Sequence, residues 1–253
     1  MSDVRPGNGR IRYRIDRGTL IVDLKRVHRV ISSAPRGGGI VRARSILNHQ
    51  VPANPAALRL PVPSGWSDPA RYLGRLAVRM NAKLPVVGLM TAVPMKQLVV
   101  DREQSGPIWV ECFCTVGVTN AVRAGESPIV APPNSGRHVG RTINIILVTN
   151  ATLTMTAMVG AVQVATESKT GTMIQNTVRC TVRNSSLATG TGTDAVVVAS
   201  SLDGRHRLAY SGTHTEIGAM IGRLVTRCVQ TGLARSARWS QRSRKIASRG
   251  ATS

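Results

Sequence analysis

Two short polar segments hold most of the groups that could move protons. The first, Ala188-Thr-Gly-Thr-Gly-Thr-Asp194, runs directly into the apolar Ala195-Val-Val-Val-Ala199. Alternating Gly and Thr gives a backbone that can approach a ligand closely, with the hydroxyls of Thr189, Thr191 and Thr193 and the Asp194 carboxylate facing it. No Gly-Lys-Ser/Thr follows, so it is not a phosphate-cradling P-loop. It precedes a strand rather than following one, so it is not a dinucleotide fingerprint. A plain Gly-rich turn, with Asp194 satisfied by backbone N–H groups, is the equal alternative. The second segment, Tyr210-Ser-Gly-Thr-His-Thr-Glu216, opens an apolar-periodic stretch. Thr213 or Thr215 can cap a helix there, and Glu216 suits its first turn. His214 at the positive end of that helix would stay neutral, as a general base or metal ligand must; a surface or capping His is the commoner outcome.

Glu167, in Ala165-Thr-Glu-Ser-Lys169, is expected to close an uncharged helix. A carboxylate there opposes the helix dipole, which hints at function, although pairing with Lys169 or an arginine explains it equally. Asn120, Asn144 and Asn150 are amides near strand ends that can bind a polar ligand. Cys112-x-Cys114 without a second pair reads as core rather than zinc site. Gly-x-Ser-x-Gly is absent, so a serine triad finds no nucleophile elbow.

These groups must be positioned by a layered fold. Residues 19–32 read as one or two strands, 70–82 as a helix with arginines opposite its apolar stripe, and 107–118 as a strand. Proline-rich 50–69 and residues 123–137 read as loops. From Thr142 to Thr166 no charged residue occurs. The Asn, Thr and Gln in that run are too many for a membrane span, so it reads as a buried strand at 143–148 and a helix over about 153–170. Residues 194–199 read as another buried strand and 213–233 as a helix. The expected fold is α+β or layered α/β: a mixed sheet with buried strands covered by helices, in one domain at 18–234. Residues 1–17 are expected to be a flexible basic N-terminus and 235–253 a disordered basic tail.

The chain has 253 residues, 42% of them hydrophobic, which excludes disordered and fibrous classes. Seven aromatics are too few for a base-stacking surface. The net charge of +22 comes from 29 Arg and 5 Lys against 12 acids, with no acid after Glu216. That balance suggests a polyanion partner, but single scattered arginines and a solvated tail are the preferred reading. The N-terminus lacks an apolar leader, and four Cys suit a reducing cytoplasm.

Eight segments together resemble the adenosylcobinamide amidohydrolase family (CbiZ). They are Ser32-Ser-Ala-Pro-Arg-Gly-Gly-Gly39, Asn48-His-Gln-Val-Pro52, Val87-Gly-Leu-Met-Thr-Ala92, Val118-Thr-Asn-Ala-Val-Arg-Ala-Gly125, Thr142-Ile-Asn-Ile-Ile-Leu147, Ala165–Lys169, Ala188–Ala195 and Tyr210–Thr215. The resemblance implies hydrolysis of the amide joining the aminopropanol arm to the corrin ring, giving adenosylcobyric acid and 1-amino-2-propanol, a step of corrinoid salvage for cobalamin synthesis. Amide hydrolysis needs an activated water or nucleophile, oxyanion stabilisation and a proton for the amine. His214, Asp194 and Glu167 are the candidate catalytic groups. Thr189, Thr191, Thr193, Thr213, Thr215, Asn120, Asn144 and His49 are the candidate substrate contacts. The corrinoid is substrate rather than cofactor; a divalent metal and a homo-oligomer are left open, and no membrane span is expected. The alternatives are a non-catalytic corrinoid-binding protein and, below it, a basic nucleic-acid-associated protein.

Overall fold

Residues 19–32 carry β-branched residues with partial alternation, and they form one strand, β2 (Thr19–Ser32), the longest of the sheet. The computed structural model describes residues 11–52, 68–127, 141–181 and 186–250, the side chains only to 238. β3 (Gly39–Gln50) pairs along one edge of β2 and in parallel with β4 (Val86–Thr91), while the other edge of β2 begins on β1 (Arg12–Asp16). Its far end pairs with β11 (Ala195–Ser200), followed by β8 (Ile143–Thr149), β6 (Ile108–Val116) and β5 (Val99–Ser105). Two small ladders join β7 (Ala121–Val122) to β10 (Gly190–Thr191), and β9 (Thr152–Leu153) to β12 (Arg207–Leu208).

The order β4-β3-β2-β11-β8-β6-β5 describes a sheet that curls back on itself. Asn144 on β8 bonds the carbonyl of Met90 on β4, although three strands separate them in the ladder. The β2–β3 register shifts between Asp23 and His28, a bulge of the kind that bends and twists a sheet. The two leaves enclose an inner layer of Leu20, Ile46, Val87, Leu89, Phe113, Ile146 and Val197. The outer face of β6, β8 and β11 is covered by α2 (Met155–Gln175) and α3 (Glu216–Gly250). The outer face of β3 and β4 carries α1 (Pro69–Arg79). The protein is therefore a single α+β domain with one mixed sheet between helices.

Both apolar runs are buried strands: every residue of β8 and of β11 is buried, as burial on two faces requires. Three readings change. Residues 12–16 form β1, with the Ile11 N–H on Glu111, so only residues 1–10 of the expected flexible terminus lie outside the described residues. The backbone of α3 runs on to Gly250 through the segment expected to be disordered, because no Gly or Pro interrupts its Ala, Arg, Lys and Gln after Gly232. α2 continues to Gln175, so Glu167 sits mid-helix and not at a C-terminus. Most of the loops expected at 50–69 and 123–137 lie outside the described residues. No helix among the described residues is long and apolar enough to cross a membrane.

Candidate active site

Asp194 ends a turn immediately before β11, where the chain enters the sheet, and its carboxylate meets four donors. Oδ1 accepts from Ile143 N at 3.0 Å and Thr191 Oγ1 at 2.5 Å; Oδ2 accepts from Thr191 N at 3.0 Å and Lys169 Nζ at 2.5 Å. The Lys169 and Asp194 side chains are only 9% and 12% exposed, so this is a buried ion pair. Gly190 makes room for it: a Cβ there would stand 2.5 Å from Asp194 Oδ2 and 2.8 Å from Lys169 Nζ. The sequence signal for Lys169 is its register, since it follows Ala161 and Ala165 on the buried stripe of α2. Local sequence alone offers it only as a partner for Glu167.

Asp194 borders a cavity of about 400 Å³ at one end of the inner layer. Ser33 and Pro35, Val51, Leu89 to Ala92, Asn120, Thr142 and Asn144, and Thr193 to Ala195 supply its walls, with Pro69 at the start of α1. On the wall from β8, Asn144 Nδ2 donates to Asn48 Oδ1 at 3.0 Å, and Asn48 Nδ2 donates to Thr115 Oγ1 at 3.1 Å. Thr142 Oγ1 donates to Thr193 O at 2.7 Å, tying the start of β8 to the Asp194 turn.

The sequence candidates divide. Asp194, Asn120, Asn144 and Thr193 come together at the cavity, and Thr191 holds Asp194. Thr189 braces the turn from behind: its Oγ1 accepts from Ala124 N and its carbonyl accepts from Thr170 Oγ1. His49 is on the opposite face of β3 from Asn48, packed under α1. Its ring nitrogens meet Thr19 Oγ1 at 2.8 Å and Tyr72 OH at 2.9 Å, and burial, aided by the Arg79 charge, lowers its pKa below the usual 6.5. Glu167 is exposed and accepts from Gln163 Nε2 along the helix surface.

His214 and Asp194 do not meet. His214 and Thr213 are exposed at the mouth of α3, where Thr215 is the N-cap: its Oγ1 accepts from Gly218 N at 3.1 Å. That turn packs against the start of α2, since Ser211 Oγ donates to Ala157 O and lies against Gly160. Lys169 is nine residues farther along α2, roughly 13 Å at the helical rise. Among the described residues no three His, Cys, Asp or Glu side chains gather as a metal site.

Sequence reasoning missed Lys169, Asn48, Ser33, Thr91 and Thr142 as contributors. Five of the eight family-like segments do contain them, so the segments were the available signal. Six of the eight line the cavity, a seventh reaches it through Lys169, and only Tyr210–Thr215 stays away. The cavity is thus where the resemblance converges. The model of the adenosylcobinamide amidohydrolase family matches residues 4–241. A protein of Methanosarcina mazei named adenosylcobinamide amidohydrolase is 31% identical over 88% of this chain and 98% of its own length. An uncharacterised protein of Methanocaldococcus jannaschii is 30% identical over 83% of this chain and 84% of its own. Matched along nearly its whole length, the chain belongs to the adenosylcobinamide amidohydrolase family.

Proposed function

We propose that this protein hydrolyses the amide between the corrin ring and the aminopropanol arm of adenosylcobinamide, releasing adenosylcobyric acid and 1-amino-2-propanol for corrinoid salvage in the cytoplasm. One observation carries the reading: seven family-like segments converge on one cavity whose wall contains an ion-paired carboxylate. A volume of about 400 Å³ suits the amide arm and the ring edge, with the rest of the corrinoid outside.

Asp194 is the acceptor of the proton released when water adds to the amide carbon. All four of its lone-pair positions are occupied, but one donor is a hydroxyl. Rotating the Thr191 O–H frees Oδ1 for an incoming water, whereas the two backbone N–H groups and the buried ammonium stay in place. Lys169 holds the carboxylate and balances its charge. The C–O bond then forms, the proton passes to the nitrogen and the C–N bond breaks, leaving a carboxylic acid and a neutral amine that exchange one proton to give carboxylate and ammonium, so one water is consumed.

The arginines do not favour a nucleic-acid role. Arg223 and Arg227 bond Glu103 and Asp101, and Arg235 bonds the carbonyl of Leu98, so three arginines of α3 serve the packing of that helix on β5 and its approach. Incubating the purified protein with adenosylcobinamide, followed by mass spectrometry, tests the function. The expected product is the free carboxylate plus aminopropanol; a bound but intact corrinoid would make the chain a binding protein instead.

A further inference from the structure

Asn144 lies on the cavity wall, 1% exposed, and the direction of its amide is set by chemistry. Nδ2 donates to the main-chain carbonyl of Met90 at 2.9 Å and to Asn48 Oδ1 at 3.0 Å. A carbonyl oxygen only accepts, so turning the amide over would press Oδ1 against it. Asn144 Oδ1 is consequently fixed, buried and, among the described residues, without a donor. Asn120 Oδ1, on another wall of the same cavity, is also buried without one. A buried acceptor left bare opposes folding, and a ligand that brings an N–H to it recovers the loss.

We infer that Asn144 is a specificity-determining residue whose Oδ1 accepts the N–H of the amide that is cut, so that the cavity selects an amide nitrogen over an ester oxygen or a carboxylate. The inference rests on the hydrolase reading above. An ester oxygen would set its lone pairs against Oδ1, and the product carboxylate would face that oxygen, Asn120 Oδ1 and Asp194 together. The acid product is thereby disfavoured in the cavity once formed. As the C–N bond breaks, the nitrogen gains a proton and positive charge. The same acceptor then binds it more strongly than it bound the neutral amide, which places the gain in the transition state.

The test compares wild type with Asn144→Ser on adenosylcobinamide and on its ester isostere, in which oxygen replaces the scissile nitrogen. The variant should lose about 10–100-fold in kcat/KM on the amide and less than about threefold on the ester. Equal losses on both overturn the inference while leaving the hydrolase reading intact. If wild type cleaves neither compound, the hydrolase reading falls. Equilibrium dialysis of wild type then decides the inference: tighter binding of the amide keeps it and equal binding ends it. Should the variant fail to fold by circular dichroism, wild type alone suffices. Its rate acceleration over the uncatalysed reaction must be larger for the amide than for the ester, and equal accelerations overturn the assignment.

Discussion

The turns at 188–194 and 210–216 are alike in sequence and unlike in the folded protein. Each contains Gly and Thr, each adjoins an apolar element, and each sets one candidate proton-transfer group, Asp194 or His214, among its hydroxyls. Asp194 is buried against Lys169 at the edge of a cavity closed by a second leaf of the sheet. His214 stands exposed, and the working residue of its turn is Thr215, which caps α3. Gly218 has a packing reason there, since a Cβ would come within 2.0 Å of the Gly212 carbonyl. Local chemistry proposes a site; an opposing wall makes one.

The strongest way to break this comparison is to exchange the fates of the two titratable groups. Asp194→Asn should lower kcat about 10³-fold, roughly 4 kcal/mol of transition-state stabilisation, measured on folded protein. His214→Ala should stay within about threefold of wild type. A loss at His214 as large as that at Asp194 would move the reacting atoms to the mouth of α3.

A second experiment sharpens the comparison through stability. Lys169→Met strands the Asp194 charge in the interior, which should cost about 3 kcal/mol and lower Tm by several degrees. The double variant Lys169→Met/Asp194→Asn should recover part of that loss, because the uncharged amide removes the stranded charge while its oxygen still accepts from a backbone N–H. If the single variant melts like wild type, the pair is not the buried contact described.

The smallest effect belongs to the second turn. Thr215→Ala removes the N-cap and should cost about 1 kcal/mol by chemical denaturation, with kcat/KM preserved. A large loss of turnover at unchanged stability would give this turn a chemical role that its position does not suggest.

Much of the frame was legible. β2, α1, β6, β8, α2, β11 and the start of α3 follow from periodicity and uncharged runs, and their observed bounds differ mainly at the ends. β3 and β5 were not, because Arg42 and Arg44, and then Asp101, Arg102 and Glu103, interrupt the apolar pattern. Those charges stand where one side of the strand reaches solvent or an arginine of α3, and a short window does not contain that information. β4 carries Gly88, a weak strand former, which is needed because a Cβ would stand 3.1 Å from Leu73 of α1.

By itself the sequence determined the buried strands, the capped start of α3, the family-like segments and the presence of Asp194 among hydroxyls. The tertiary structure decided which of these face one another. Periodicity assigns a side chain to one face of its own helix or strand, but the occupant of the space opposite depends on distant pairing. Asn144 and Met90 meet only because β3, β2 and β11 carry the sheet round between them. Lys169 finds Asp194 because α2 lies across β11, and His214 misses it because α3 begins at the other end of the same helix.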